Sequence, residues 1–140
     1  MPVTVEIPVE KWMGKVLEVT LGATADEGGT RSHTVTVGGE TTLPFLHFEG
    51  EIPNPPCIAI EIADRRPDDW SPLLVEAWGD VMDDPATWAK AAEEAGADLI
   101  LLQLSLTKDG DTPTTAADAR AAARAVLEAT GLPILIFGPG

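Results

Sequence analysis

The feature that most constrains this chain is a strand–helix–strand–helix–strand grammar that occupies it beyond residue 56. Three short apolar runs read as β-strands: Cys57–Ala63 (CIAIEIA), Asp98–Leu106 (DLILLQLSL) and Pro133–Phe137 (PILIF). They are rich in Ile and Leu and bounded by Asp, Gly and Pro, the punctuation expected of buried strands. Helix signals lie between them. Ser71-Pro72 and Asp84-Pro85 each set a capping oxygen before a proline, whose missing N–H has no partner in the first turn anyway. Leu73, Leu74 and Ala77 give the first helix an apolar side, and Gly79 ends it. The second places Trp88, Ala92 and Ala95 on one stripe and closes at Gly96. Thr115 caps a third, Ala-rich helix with Asp118 in its first turn, where a carboxylate favours the helix dipole. Its buried stripe is Ala119, Ala122, Val126 and Ala129, and Gly131 and Pro133 stop it. Apolar strands joined by helices imply an α/β fold with a parallel sheet buried on both faces and right-handed crossovers.

Residues 1–55 follow a different grammar, rich in Thr, Val and Gly. Val16–Leu21 and His33–Val37 read as strands, with a flexible loop at Asp26–Arg31 between them, and Leu43–Phe48 reads as a further extended stretch. Pro53, Pro55 and Pro56 forbid a helix there. The expected organisation is a β-hairpin-rich extension over 1–55, followed by the first three strands and two crossovers of a β/α barrel over 56–140. A (β/α)8 barrel takes about 250 residues, so the barrel is expected to be truncated. The other expectation is a small open α/β domain completed by a partner or by a second copy in a dimer.

The chain carries 23 acidic and nine basic residues, a net charge of −14. Such a surface repels phosphate backbones and anionic bilayers, which argues against nucleic-acid and membrane partners. The start, MPVTVEIPVEK, lacks a signal-peptide pattern, and a cytoplasmic location is expected. Cys57 is the one cysteine. A single thiol cannot hold an iron–sulfur cluster, and a buried, inert thiol is expected. His33 and His47 lie 14 positions apart with no metal-type spacing around them.

Several segments carry a resemblance to a family. Leu21-Gly22-Ala23-Thr24 precedes Gly28-Gly29-Thr30-Arg31-Ser32-His33-Thr34; then come Gly38-Gly39-Glu40 and Leu43-Pro44-Phe45-Leu46-His47-Phe48-Glu49-Gly50. Gly96-Ala97-Asp98-Leu99-Ile100 and Val126-Leu127-Glu128-Ala129-Thr130-Gly131-Leu132-Pro133 follow in the same order. From about residue 15 onward the chain resembles the small subunit of the corrinoid iron–sulfur protein, called the delta subunit of the acetyl-CoA decarbonylase/synthase complex in methanogens. That resemblance implies a non-catalytic barrel paired with a large subunit that carries a 4Fe-4S cluster and a corrinoid-binding domain. The corrinoid, a cobamide, would lie at the interface with that large subunit. A methyl group would pass between a methyl-tetrahydropterin or methyl-tetrahydrofolate and acetyl-CoA synthase, so a methyltransferase and acetyl-CoA synthase would be transient partners. The rival readings are a pterin-dependent methyltransferase barrel and a fragment without function.

Under this resemblance the Gly28–His33 segment is the first candidate for cofactor binding. Gly29 lets the backbone approach a ligand closely, while Thr30, Arg31, Ser32 and His33 offer donors for corrin amides or a phosphate. The alternative is a hairpin loop with an exposed Arg. His47 and Glu49 form a second candidate, a polar pair near the cofactor, against the plainer reading of a His held by a carboxylate. In barrels and open sheets ligands sit at strand carboxyl ends, here Asp64, Ser105–Thr107 and Gly138–Gly140. Arg65 and Arg66 could pair with carboxylates, and Trp70 and Trp78 could mark contacts, while Trp88 belongs to the core. The carboxylates at 68, 69, 80, 83 and 84 read as caps and solvated surface. No residue is assigned a catalytic role.

Overall fold

The computed structural model describes residues 3–43, 45, 46, 48–105 and 114–138. Its elements run β1 (Val19–Leu21), β2 (Val35–Val37), β3 (Ala59–Ala63), α1 (Pro72–Trp78), α2 (Pro85–Glu94), β4 (Leu99–Gln103), α3 (Ala116–Ala129) and β5 (Ile134–Phe137). Contacts divide the chain into two compact units: Met1–Thr20 with Thr36–Pro56, and Leu21–Val35 with Cys57–Gly140.

The first unit is held by hydrogen bonds more than by packing. Val16 N–H donates to Glu40 O at 2.8 Å, and Gly39 N–H to Val16 O at 3.1 Å. Asn54 Nδ2 donates to Gly38 O at 2.9 Å. Among the described residues, none of the chain's buried apolar side chains lies in this unit, and Val5, Ile7, Leu17, Phe45 and Phe48 are all exposed. Where an extended stretch is expected at Leu43–Phe48, the described Phe45 and Phe48 lie in turns, with Leu46 N–H bonded to Leu43 O and Glu49 N–H to Leu46 O. β1 pairs with β2, each shorter than the sequence suggests.

The second unit contains the parallel sheet, in the order β3-β4-β5. Ile60 aligns with Ile100 and then Ile134; Ala63 aligns with Gln103 and then Phe137. Register fixes the two faces because side chains alternate along a strand. One face carries Ile60, Ile62, Ile100, Leu102, Ile134 and Ile136. Ile62, Ile100 and Leu102 are fully buried there, against Trp88, Ala89 and Ala92 of α2 and Val126 of α3. The helices form where the capping signals place them. Ser71 Oγ accepts from Leu73 N, the Asp84 carboxylate from Thr87 N, and Thr115 Oγ1 from Asp118 N. Ala95, expected on the buried stripe of α2, is its exposed C-cap, and Ala89 packs in its place.

Helices α2 and α3 pack against each other over the same face of the sheet. The other face carries Glu61, Leu101, Gln103, Leu135 and Phe137. Its cover is uneven: Leu99 and Ala63, which share this face, are buried, Leu101, Gln103 and Leu135 are half-buried, and Glu61 and Phe137 are exposed. The apolar run of β5 does not imply burial along its length: Ile136, on the helix-covered face, and Phe137, on the other, are 56% and 60% exposed. Cys57 is half-buried rather than sealed in the core.

Two substitutions separate packing from capping. Leu102→Ala should cost about 2–5 kcal/mol, the range for truncating a fully buried leucine. Asp84→Ala, which removes the oxygen that accepts from Thr87 N, should cost about 1 kcal/mol. Urea midpoints at neutral pH measure both.

Candidate functional site

The parallel sheet has two chemically distinct ends, and the segments singled out in the sequence fall on both. At the amino ends of the strands lies the loop between β1 and β2. Its opening is a short 3-10 turn, Ala25–Glu27, in which the Glu27 carboxylate accepts from Thr24 N at 2.8 Å and Thr24 Oγ1 at 2.9 Å. These bonds hold the Glu27 carboxyl below its usual range, the backbone N–H of Thr24 being the main cause. Gly29 then passes so close to the chain that a Cβ would meet Ala23 O at 2.1 Å. Its close approach is to the loop's own backbone.

Arg31 is the centre of this end. Its Nη1 donates to Thr130 O at 2.7 Å and Leu132 O at 3.2 Å, and its Nη2 donates to Leu127 O at 2.7 Å. Nε and Nη2 also donate to Thr30 Oγ1. These three carbonyls lie where α3 ends and the chain turns into β5. The last carbonyls of a helix lack intrahelical donors, and a guanidinium fork suits several of them at once. Ser32 extends the clasp: its N–H and Oγ reach Gly131 O at 2.8 and 3.0 Å. Gly131 must lack a side chain there, because a Cβ would meet Ser32 Oγ at 2.8 Å. His33 Nε2 donates to Asp98 O at 3.3 Å, and its Nδ1 lies 3.0 Å from Ser32 Oγ. Asp98 in turn accepts from Ile58 N at 2.7 Å, joining the starts of β3 and β4. Thus Gly29, Thr30, Arg31, Ser32 and His33 come together, and their hydrogen bonds tie the loop to the amino ends of β4 and β5.

The second pair of sequence candidates is described only at Glu49. Glu49 belongs to the other unit, where its Oε1 accepts from Glu10 N at 3.3 Å. His47 lies outside the described residues.

At the carboxyl ends of the strands is a cavity of about 590 Å³, lined among others by Glu61, Arg65, Trp70, Gln103, Ser105 and Phe137. Asp64, the residue after β3, stands beside it. Its carboxylate accepts from Ser105 N at 3.0 and 3.1 Å, and from the hydroxyls of Ser105 and Thr114. Burial is the largest single influence on this carboxyl and pushes it up. The hydrogen bonds from Ser105 and Thr114, with the charge of Arg65, together outweigh burial and hold it below the ordinary carboxylate value. An acid held ionised by donors on both oxygens is an acceptor and a poor proton donor. Arg66, a further wall residue, pairs with Asp83 at 2.7 Å. Trp70 reaches from the wall into the core, edge-on to Trp88 with ring centroids 5.4 Å apart; Trp78 meets Trp88 at 6.2 Å. The strand-end rule points to Asp64 and Ser105. Thr114, Glu61 and Gln103 carry no local signal and emerge only from register and loop closure.

The comparisons with known proteins agree with one another. Residues 18–139 match the family described as CO dehydrogenase/acetyl-CoA synthase delta subunit. The chain is 43% identical over 136 residues to the acetyl-CoA decarbonylase/synthase complex subunit delta of Archaeoglobus fulgidus, covering 94% of this chain and 29% of that protein. It is 35% identical over 133 residues to subunit delta 1 of the same complex from Methanosarcina thermophila, covering 94% and 30%. With the subunit delta of Methanocaldococcus jannaschii it shares 34% over 136 residues, covering 96% and 33%. The chain therefore spans about a third of the length of these relatives.

Removing the Arg31 clasp should destabilise the second unit without touching the cavity. Arg31→Ala should cost about 1.5–3 kcal/mol, the range for losing charge-assisted hydrogen bonds. Arg31→Lys should recover only part of that loss, because an ammonium cannot present the planar fork. Urea unfolding monitored by circular dichroism reads both.

Proposed function

Because the chain belongs to the family of the CO dehydrogenase/acetyl-CoA synthase delta subunit, we propose that it serves as a non-catalytic subunit that covers a corrinoid carried by a partner. The single observation that carries the reading to a place on the molecule is the cavity at the strand carboxyl ends. That is where α/β folds present ligands, and side chains there are mounted on a rigid sheet. The three strands are read as a sector of a (β/α)8 barrel. Support comes from the sequential strand order and from α2 and α3 sharing one face of the sheet. A doubly wound sheet would place helices on both faces.

The cavity walls fit a corrinoid edge by their chemistry. Such a ring is broad and apolar and bears carboxamide arms that both donate and accept hydrogen bonds. Trp70 and Phe137 offer apolar surface, while Gln103 and Ser105 offer matching polar groups and Glu61 an acceptor. None of the described wall residues is a His or Cys, so these walls suit packing against a ring and its amides rather than ligation of its metal. When bound, the corrinoid supplies the cobalt that carries a methyl group between a methyl-tetrahydropterin or methyl-tetrahydrofolate and acetyl-CoA synthase. The residues of this chain exclude water from one side and hold the ring's edge. Asp64 moves no proton in this reading, in keeping with its lowered carboxyl. The partner is the large subunit of the corrinoid iron–sulfur protein, which holds the 4Fe-4S cluster.

The amino-end clasp takes a supporting part. Arg31, Ser32 and His33 anchor α3 and the starts of the strands, so that the opposite end keeps its shape. Four residues of advance between Gln103 and Leu99 correspond to about 13 Å along the sheet, which separates the two ends.

The test is co-expression with the large subunit. A heterodimer should purify with the corrinoid's visible absorbance, and Gln103→Ala with Phe137→Ala should lower the corrinoid content at unchanged heterodimer yield. A chain that leaves the large subunit free, or a corrinoid content indifferent to both changes, would rule the reading out.

A further inference from the structure

We propose that Asp64 is a positioning residue: its carboxylate pins Ser105 to Thr114 and thereby sets the wall of the carboxyl-end cavity. The inference rests on the reading of that cavity as the corrinoid-facing site, and it names the residue that gives the site its form.

The geometry is a three-donor latch: the Ser105 N–H and the hydroxyls of Ser105 and Thr114. Asp64 Oδ1 and Oδ2 both lie within hydrogen-bond distance of Ser105 N, Oδ1 accepts from the Ser105 hydroxyl, and Oδ2 accepts from the Thr114 hydroxyl. Thr114 N–H donates to Ser105 O at 2.8 Å, so the two residues also meet through their backbones. Asp64 N–H donates to Gln103 O at 3.0 Å, extending the β3–β4 pairing one step beyond the strands. The carboxylate is thus bonded to the end of β4 and to the residue just before the Thr115 cap of α3. Its neighbours in sequence and space, Arg65, Gln103 and Ser105, are wall residues of the cavity. Arg65 Nη2 also reaches Ser105 O, at 3.4 Å.

A simple strand-end cap would need one acceptor for one N–H. Here one side chain gathers donors from residues nine positions apart, and a second backbone bond closes the neck between them. If the carboxylate is lost, Ser105 and Thr114 keep only that backbone bond. The expected consequence is local: the neck opens while the helix-covered core, centred on Ile100 and Leu102, is untouched. The donors also fix the pH dependence. The Asp64 carboxyl is held below its ordinary value, so the latch is complete above the ordinary carboxylate range. It loosens only as pH falls through the lowered value.

The test is nuclear magnetic resonance and hydrogen exchange on the full chain, comparing wild type with Asp64→Asn and Asp64→Ala. In the wild type the Ser105 and Thr114 amide signals should titrate together, with a midpoint below that of an ordinary aspartate, and Asp64→Asn should abolish the titration. Exchange at the Ser105 amide should rise about 10-fold or more in both variants, the scale of one lost hydrogen bond to a charged group, and exchange at Thr114 should rise with it as the opened neck weakens its bond to Ser105 O. Exchange at Ile100 and Leu102 should stay at the wild-type rate. Unchanged exchange at Ser105 and Thr114, or an equal rise at all four amides, would overturn the latch. If Asp64→Ala fails to fold, the wild-type titration and the near-isosteric Asp64→Asn still decide the question.

Corrinoid retention in the heterodimer supplies the second readout. Both variants should retain several-fold less corrinoid while binding the large subunit normally. Wild-type retention with an opened neck would overturn the positioning role. A wild-type heterodimer that holds no corrinoid would instead sink the cavity reading, and the titration would still report on the latch.

Discussion

The second unit depends on one constraint: the in-register parallel pairing of β3, β4 and β5. It sets Ile62, Ile100 and Leu102 on one face, where they meet Trp88, Ala89, Ala92 and Val126 and are fully buried. Parallel pairing also brings all three amino ends to one edge and all three carboxyl ends to the other. That polarity makes the two edges of the sheet chemically distinct. Each edge is then fastened by an aspartate that follows or precedes a strand. Asp98 accepts from Ile58 N at the starts of β3 and β4, and Asp64 accepts from Ser105 N at their finishes.

The two ends use their polar groups differently. At the amino end the donors of Arg31 and Ser32 are turned inward onto the carbonyls of residues 127, 130, 131 and 132. Helix ends leave such carbonyls without partners, and the loop supplies them from a distant part of the sequence. At the carboxyl end Glu61, Gln103 and Ser105 line an open cavity beside the apolar surfaces of Trp70 and Phe137. The carboxyl end is tied as well, by Asp64 to Ser105 and Thr114, but it keeps Glu61 and Gln103 along the cavity. Under the proposed function, the second end is the face offered to a partner-bound corrinoid.

Much of the fold was legible in the residues themselves. Ser71-Pro72, Asp84-Pro85 and Thr115 mark helix starts by local chemistry, and the structure forms α1, α2 and α3 there. The order of strands and helices followed from the apolar runs. The turns at Phe45 and Phe48 and the exposure of Ile136 and Phe137 were not legible, because an apolar run states a preference for burial but not which surface is available. The chemistry of Gly29–His33 was visible as a set of donors, but its targets were not. Arg31 bonds to carbonyls almost a hundred residues away, and no local pattern encodes such a pairing. Thr114 as a donor to Asp64 was hidden for the same reason: the contact spans 50 positions and exists only once the connection has folded back.

The central proposal is one of polarity: a partner-bound corrinoid would lie against the carboxyl ends of the strands. Paramagnetic broadening of amide signals by cobalt(II) corrinoid in the heterodimer tests it most directly, because the effect falls steeply with distance. The account predicts that Trp70, Ser105 and Phe137 broaden while Ser32, His33 and Gly131 stay sharp. Broadening confined to the residues around Arg31, with Ser105 and Phe137 unaffected, would contradict it.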